Sequence, residues 1–436
     1  MKSKVKGFAL HKLAVIAMVA TPCVSAWATN GYFSHGYGLK AKGMGGAAVA
    51  MTDSAFAGAN NPAIAAWAGD RAELGVDVFM PERSMERTGS VAGLNAKVTS
   101  DSTSFLVPEF GYNHAVNDKL GVGISVYGNG GMNTDYAGAN IPAGVCGPSA
   151  ANVLCGSGRL GVDLQQLIVA PTIAYKVSDK HSVGVSPLFV QQIFKADGLQ
   201  AFDNPGAPFP NMTGAPGKVT NQGYDSSNGI GLRLGYLGKL SDSVSIGASY
   251  APKISMSKFS KYAGLFADGG NFDIPENYTL GTSIQATPTV VIALDYQHIS
   301  YSAVPSIGNP STNLAALGSA NGPGFGWGDV NATKLGIQWQ ASSALTVRAG
   351  INVGDNPVKG RDVTFNILAP GVVTTHYTVG ATYALSPTSE ITAAYMVAPS
   401  NSVSGSSLFN SFGFPAGNES VKMNQQSIGV QYGWRW

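Results

Sequence analysis

The chain is 436 residues long and only 12% of it is charged, about half the roughly 25% usual for a soluble globular protein. Glycine is the commonest residue at 56, hydrophobic residues make up 44%, and the formal net charge is +2. A charge so near zero excludes a nucleic-acid footprint, and the lack of a triplet period excludes a collagenous chain. Few charges, abundant glycine and ordinary hydrophobicity suit a protein whose outer surface meets lipid.

In chain order, Lys2, Lys4, Lys6 and Lys12 precede an apolar run from Leu13 to Ala20, and Ala26-Trp27-Ala28 follows with small residues in the −3 and −1 positions. Residues 1–28 therefore read as an export signal. Cys23 follows Pro22, where a lipoprotein signal needs a small residue, which argues against lipidation. The two other cysteines, Cys146 and Cys155, lie in one Gly/Pro/Ala-rich stretch, and an exported pair so close reads as a loop disulfide. No later apolar run approaches the ~20 residues of a membrane helix. An exported, lipid-facing chain without such a helix satisfies its backbone only as a closed β-barrel.

Strands announce themselves by alternation with period two. Ile428, Val430, Tyr432, Trp434 and Trp436 alternate with Ser427, Gly429, Gln431, Gly433 and Arg435. The same pattern runs through Leu120–Val126, Val244–Tyr250, Leu345–Val353 and Tyr377–Leu385. Short turns recur at Asn117-Asp118, Ser178-Asp179, Ser241-Asp242, Thr287-Pro288, Ser342-Ser343 and Ser386-Pro387. These six turns join twelve strands. An opening strand near Arg71–Met80 and a closing strand over 423–436 bring the number to fourteen, even as expected of an outer-membrane barrel with short periplasmic turns and long outer loops.

The long connections fall near 81–102, 129–160, 196–223, 259–274, 302–326, 355–372 and 399–422. Two are apolar for surface loops. One carries Leu199, Phe202, Phe209 and Met212; the other carries Phe259, Tyr262, Leu265, Phe266 and Phe272. Such side chains either pack over the barrel mouth or form a greasy surface that captures an apolar ligand.

Residues 29–70 precede the first strand and have another texture: small, turn-prone, too apolar for a disordered tail. Glycine and alanine let backbone pass close to a wall, so this segment is expected to fold inward as a hatch. Its run Asn30-Gly31-Tyr32-Phe33, Gly36-Tyr37-Gly38, Lys42-Gly43-Met44-Gly45-Gly46-Ala47, Asp53 and Asn61-Pro62-Ala63 resembles the mature N-terminus of the FadL/TodX family. That family comprises outer-membrane transporters of long-chain fatty acids and other hydrophobic compounds. The resemblance implies an all-β fold, a 14-stranded antiparallel transmembrane β-barrel with its hatch at 29–70 and its wall at 71–436. It also implies ligand capture among the outer loops, transfer to an apolar lumenal pocket, hatch-gated passage and sideways release at a kink in the third strand. Here that strand ends in Gly128-Asn129-Gly130-Gly131, since glycine within a strand marks a bend, although the same residues can simply begin an outer loop.

No Gly-x-Ser-x-Gly, His-Glu-x-x-His or Walker pattern occurs. Gly156-Ser157-Gly158-Arg159-Leu160-Gly161 matches a dinucleotide fingerprint but precedes a strand rather than a helix. The histidines at 35, 114, 181, 298 and 376 are scattered, so no metal or other cofactor is expected. By alternation Arg233, Lys334, Arg348 and Arg435 point into the lumen. Arg348, Lys334 or Arg233 can hold a ligand carboxylate, or can brace the lumen against Asp163, Glu109 or Asp295, and bracing is the favoured reading. The expected partners are a hydrophobic small molecule, outer-membrane lipid and the barrel-assembly machinery acting on the C-terminal strand, with the protein itself a monomer. The alternative is a surface receptor, an adhesin or a general porin.

Overall fold

The computed structural model describes residues 30–203 and 212–436. The expected signal over 1–28 and Phe209 lie outside the described residues. Fifteen strands form one antiparallel sheet: β1 Arg71–Thr88, β2 Ala96–Thr99, β3 Phe105–Ala115, β4 Leu120–Tyr136, β5 Leu160–Lys176, β6 His181–Asp197, β7 Asp225–Lys239, β8 Val244–Ala251, β9 Asn277–Thr287, β10 Val290–Ile299, β11 Val330–Gln340, β12 Leu345–Gly354, β13 Thr375–Ser386, β14 Ser389–Ser406 and β15 Asn418–Arg435. β1 pairs with β15 from Arg71↔Arg435 to Thr88↔Asn418, closing the sheet. β2 only caps the outer end of β1, which leaves fourteen strands in the wall. All six short turns fall at the junctions of consecutive strands, two of them beginning on a strand's last residue, Thr287 and Ser386. No helix among the described residues is long and apolar enough to cross a membrane.

Alternation builds the wall as expected of a pleated strand. Tyr377, Val379, Tyr383, Ile428, Val430 and Trp434 face outward and are exposed, whereas Thr378, Thr382, Ser427 and Gln431 are buried inside. Several strands outrun the lengths read from the sequence. β1 continues past Met80 to Thr88, β14 reaches Ser406, and β4 passes through the glycine run to Tyr136. Beyond the hydrocarbon layer the ladder persists while the lipid-facing apolar residues stop, so alternation of hydrophobicity no longer reports it.

The hatch fills the lumen. Short helices at Leu39–Lys42 and Ala57–Asn60 and a 3-10 turn at Pro62–Ala66 are almost wholly buried. The Asn61 side chain accepts a bond from the Ala63 N–H (3.0 Å), capping the turn that Pro62 opens. Its Nδ2 donates to the carbonyls of Val49 (2.7 Å) and Tyr236 (2.9 Å), tying hatch to wall. Wall glycines receive the hatch backbone. A Cβ at Gly121 would lie 2.0 Å from the Ala65 oxygen, and one at Gly247 would lie 2.2 Å from that of Val49. Within the hatch, Gly46 sits at φ +85° with His35 oxygen 1.7 Å from where its Cβ would be. Gly43 lies against Gly380 and Gly45 against Ile351. Much of the excess glycine thus serves this contact between two backbones.

Cys146 and Cys155 are joined by a disulfide (S–S 2.04 Å) in the second outer loop.

Candidate functional site

The hatch body is held by charge. Lys40 Nζ lies 2.8 Å from Glu73 and 2.6 Å from Glu390, and Lys42 Nζ lies 3.0 Å from Asp77 and 3.1 Å from Glu109. All six groups are buried. Burial opposes the charge on Lys42, but the Asp77 and Glu109 carboxylates outweigh it and hold its pKa above the ordinary lysine value.

The lumenal cations singled out above also meet the hatch. Arg348 reaches Asp53 (3.2 Å), Thr382 and Gln338. Lys334 Nζ donates to the His35 carbonyl (3.0 Å). Arg233 donates to the carbonyls of Gly58 and Ala59 and to the Tyr127 hydroxyl. Their partners are thus hatch groups more than wall acids. Asp295 accepts from the backbone of Ala48 and Val49, and Asp163 accepts from Tyr224 and Gln165. Arg435 pairs with Glu390. His35 stacks on His376 with ring centres 5.8 Å apart. Burial, then Lys42 and Lys334, push the His35 pKa down to about 3, so it is neutral at physiological pH.

At its other end Trp67 lies between the ammonium groups of Lys176 (4.2 Å) and Lys239 (4.1 Å) and donates to Ser182.

The N-terminal limb of the hatch, Asn30–Gly38, is held differently. Tyr301 accepts at its hydroxyl from the N–H groups of Tyr32 and Phe33 and donates to the Asn30 carbonyl (2.6 Å). Tyr32 and Phe33 also lie along β4. Ser34 N donates to Asn129 O, Gly131 N donates to Tyr32 O, and Phe33 bridges Gly130. A Cβ at Gly130 would stand 1.7 Å from the Tyr32 oxygen, so only glycine admits this approach.

The wall changes at the same place. β4 pairs with β5 along its whole length, with a register shift between Gly128 and Gly130; an extra residue of this kind bends a strand. Toward β3, however, β4 pairs only from Phe110↔Val126 to Ala115↔Gly121. Phe105–Glu109 of β3 stays paired to β1 and has no ladder partner on β4 among the described residues. Above this break the wall resumes through the Ser100↔Tyr136 bridge. Asn129, the shifted residue, accepts from the Tyr37 hydroxyl and donates to Gln166.

Above the hatch lies an apolar groove of about 510 Å³ of atom-free space, partly open to solvent. Of the loop residues expected to capture ligand, Leu199, Phe202, Leu265 and Phe266 line it. Phe259 and Tyr262 are instead fully buried and pack on Phe194, while Met212 is half-buried against the same cluster. Some of these side chains therefore line a groove, and others pack beneath it. Phe325, Phe365 and Leu368 from the fifth and sixth outer loops join the lining, with Leu154, Val162, Phe194 and Leu317; the aromatic pair in Phe325-Gly326-Trp327 was the available sign.

Rings continue from groove to hatch. Phe266 lies 4.9 Å from Phe272, Phe272 lies 6.1 Å from Tyr32, and Tyr32 lies 6.2 Å from Trp327. Trp327 in turn lines a second pocket, of about 310 Å³ of atom-free space and partly open to solvent, with Phe79, Arg83, Met132, Asn133 and Met423.

A closed fourteen-stranded barrel, plugged from within and roofed by an apolar groove, defines an outer-membrane transport channel. The sequence matches, over residues 19–411, the family described as outer membrane protein transport protein (OMPP1/FadL/TodX). The chain belongs to that family of outer-membrane transporters of hydrophobic compounds, which are channels and not enzymes. The fold is similar to that of the toluene transporter TodX of P. putida (TM-score 0.66, 19% identity, covering 92% of this chain and 99% of that one). It is also similar to the toluene transporter TbuX of Ralstonia pickettii (0.64, 19%, 92% and 99%) and to a FadL homologue of Pseudomonas aeruginosa (0.67, 15%, 93% and 99%). No curated protein matches the sequence.

Proposed function

We propose that the protein carries hydrophobic small molecules passively from the outer-loop groove to the second pocket and releases them sideways through the wall between β3 and β4. The observation behind this reading is a coincidence of place. The aromatic column passes Tyr32, beside the stretch where β4 leaves β3 and pairs with the hatch instead. An apolar ligand leaving water for the groove gains about 0.8 kcal/mol per buried methylene, so capture needs no energy source. Gating then lies in the limb Asn30–Gly38, while the body fixed by Lys40 and Lys42 stays in place. Two of the named relatives, TodX and TbuX, are toluene transporters, which supports a hydrocarbon-sized passage. The wall closes on itself through β1 and β15, in keeping with a monomer, and the aromatic end of β15 suits recognition by the barrel-assembly machinery.

The test is uptake of radiolabelled toluene by cells carrying wild type or a deletion of Asn129, the residue that shifts the register. Loss of uptake with groove binding retained is expected. Undiminished uptake would overturn sideways release. A large, steady ion conductance from the wild type would favour a general porin.

A further inference from the structure

The groove and the second pocket share a partition made of two short chain segments. In the fifth outer loop Phe325 lines the groove and Trp327 lines the second pocket. In the sixth, Leu368 lines the groove and Ala369, the next residue, lines the second pocket. Each segment has its own anchor. The N–H groups of Phe325, Gly326 and Trp327 donate to the carbonyls of Ser306 (3.3 Å), Asn309 (2.9 Å) and Ile307 (3.0 Å). The carbonyls of Ile367 and Leu368 accept from the Tyr136 (2.9 Å) and Thr134 (2.8 Å) hydroxyls at the outer end of β4.

One side chain joins the two segments. Asn366, fully buried at the end of the short helix Val363–Asn366, accepts at Oδ1 from Trp327 Nε1 (2.6 Å). Its Nδ2 donates to the Phe325 carbonyl (2.8 Å). Among the described residues these are the only hydrogen bonds between 323–327 and 363–371. They fix the indole, since a buried Trp N–H needs a partner. The ring lies on Gly371, where a Cβ would come within 3.1 Å of it, and meets Tyr301 edge-on at 5.3 Å. The groove is partly open and lined by separate loops, so it bounds its occupant loosely. Trp327 is buried, so a ligand crossing here must displace the ring.

We infer that ligands are selected by size after capture, at this partition. Trp327 is the side chain a ligand displaces between groove and second pocket, and Asn366 is the positioning residue that holds it. Single-ring hydrocarbons pass, and fused-ring hydrocarbons are held back in the groove. The inference rests on the channel reading above and names the step of that route at which ligands are told apart.

The test is cellular uptake of radiolabelled toluene and of 1-methylnaphthalene, which adds one fused ring. Uptake by cells lacking the protein is subtracted. With wild type, 1-methylnaphthalene should compete with toluene for capture yet enter more slowly itself. Asn366→Leu keeps the side-chain volume and removes both hydrogen bonds. It should raise the maximal rate for 1-methylnaphthalene about fivefold relative to toluene, the equivalent of one neutral hydrogen bond. The half-saturation concentration should not move. Asn366→Asp keeps an acceptor for the indole N–H and should retain most of the discrimination. Equal entry of the two compounds with wild type, failure of 1-methylnaphthalene to compete, or unchanged discrimination in Asn366→Leu overturns the inference while the channel reading stands. No protein-dependent uptake of either compound overturns both. Should Asn366→Leu fail to insert, Trp327→Phe, which withdraws the N–H and keeps a ring, must show the same gain or the inference falls.

Discussion

The two parts of the hatch are held to the wall by a different balance of chemistry. The body, Leu39–Ala68, is fixed by buried lysines shared between pairs of wall carboxylates, by Arg348 on Asp53 and by glycine-lined backbone contact. The limb, Asn30–Gly38, is held mainly by neutral hydrogen bonds to Tyr301 and β4 and by aromatic contacts, and charged groups reach only its inner end, Lys334 at the His35 carbonyl and Glu109 at the Gly38 N–H. A buried ion pair cannot yield to an apolar ligand, because each separated charge is left without solvent. A ring contact can, because ligand and protein offer each other the same kind of surface. On the proposed route, charge marks what stays, and aromatic contact marks what can be exchanged.

Removing one of the fixing charges should break this contrast most strongly. Lys42→Ala leaves Asp77 and Glu109 buried without a cation, a loss of about 3–5 kcal/mol. The folded fraction in the outer membrane should fall, as read by heat-modifiable electrophoretic mobility. Adding Glu109→Gln to that variant should recover part of the loss, since one orphaned charge is then gone. Next in size is the backbone contact. Gly247→Val places side-chain carbon where Val49 oxygen now stands, an overpacking worth about 1–3 kcal/mol. The hatch must shift, and single-channel recording should show a rise in ion leak.

Much of the contrast could be read in advance, and what could not has physical reasons. Period-two alternation and paired turn residues such as Ser241-Asp242 are local signals, so the barrel and its short turns were legible. The inward position of Arg233, Lys334 and Arg348 was legible too, but their partners were not, because Gly58, His35 and Asp53 approach through tertiary folding of a segment without periodicity. Asn61-Pro62-Ala63 was visible as a motif, whereas its double duty, capping one turn and bonding Val49 and Tyr236, needed the fold. Arg83 was missed because the apolar alternation of β1 ends near Met80 while the strand continues. Phe325 and Trp327 were missed because they stand in a loop otherwise made of small residues.

The exchangeable side of the contrast is tested by Leu265→Ala. This half-buried side chain lines the groove, and its loss withdraws apolar surface worth about 1 kcal/mol to a ligand. Uptake of toluene at limiting concentration should slow by about fivefold, with the thermal midpoint of the barrel little changed. An unaltered rate would place capture elsewhere in the outer loops.

The smallest effect sharpens the comparison most, because it asks what a lumenal arginine faces. Arg348 is buried, but its partner Asp53 is about one-third exposed, and water can replace part of what Arg348→Gln removes. The cost should be about 1 kcal/mol, that of a screened pair. It should appear as a slightly lower denaturant midpoint with unchanged dodecanoate affinity. Gln338 and Thr382 remain to accept from the new amide. If dodecanoate binding falls instead, Arg348 faces ligand as well as hatch, and charge would no longer mark only the part that stays.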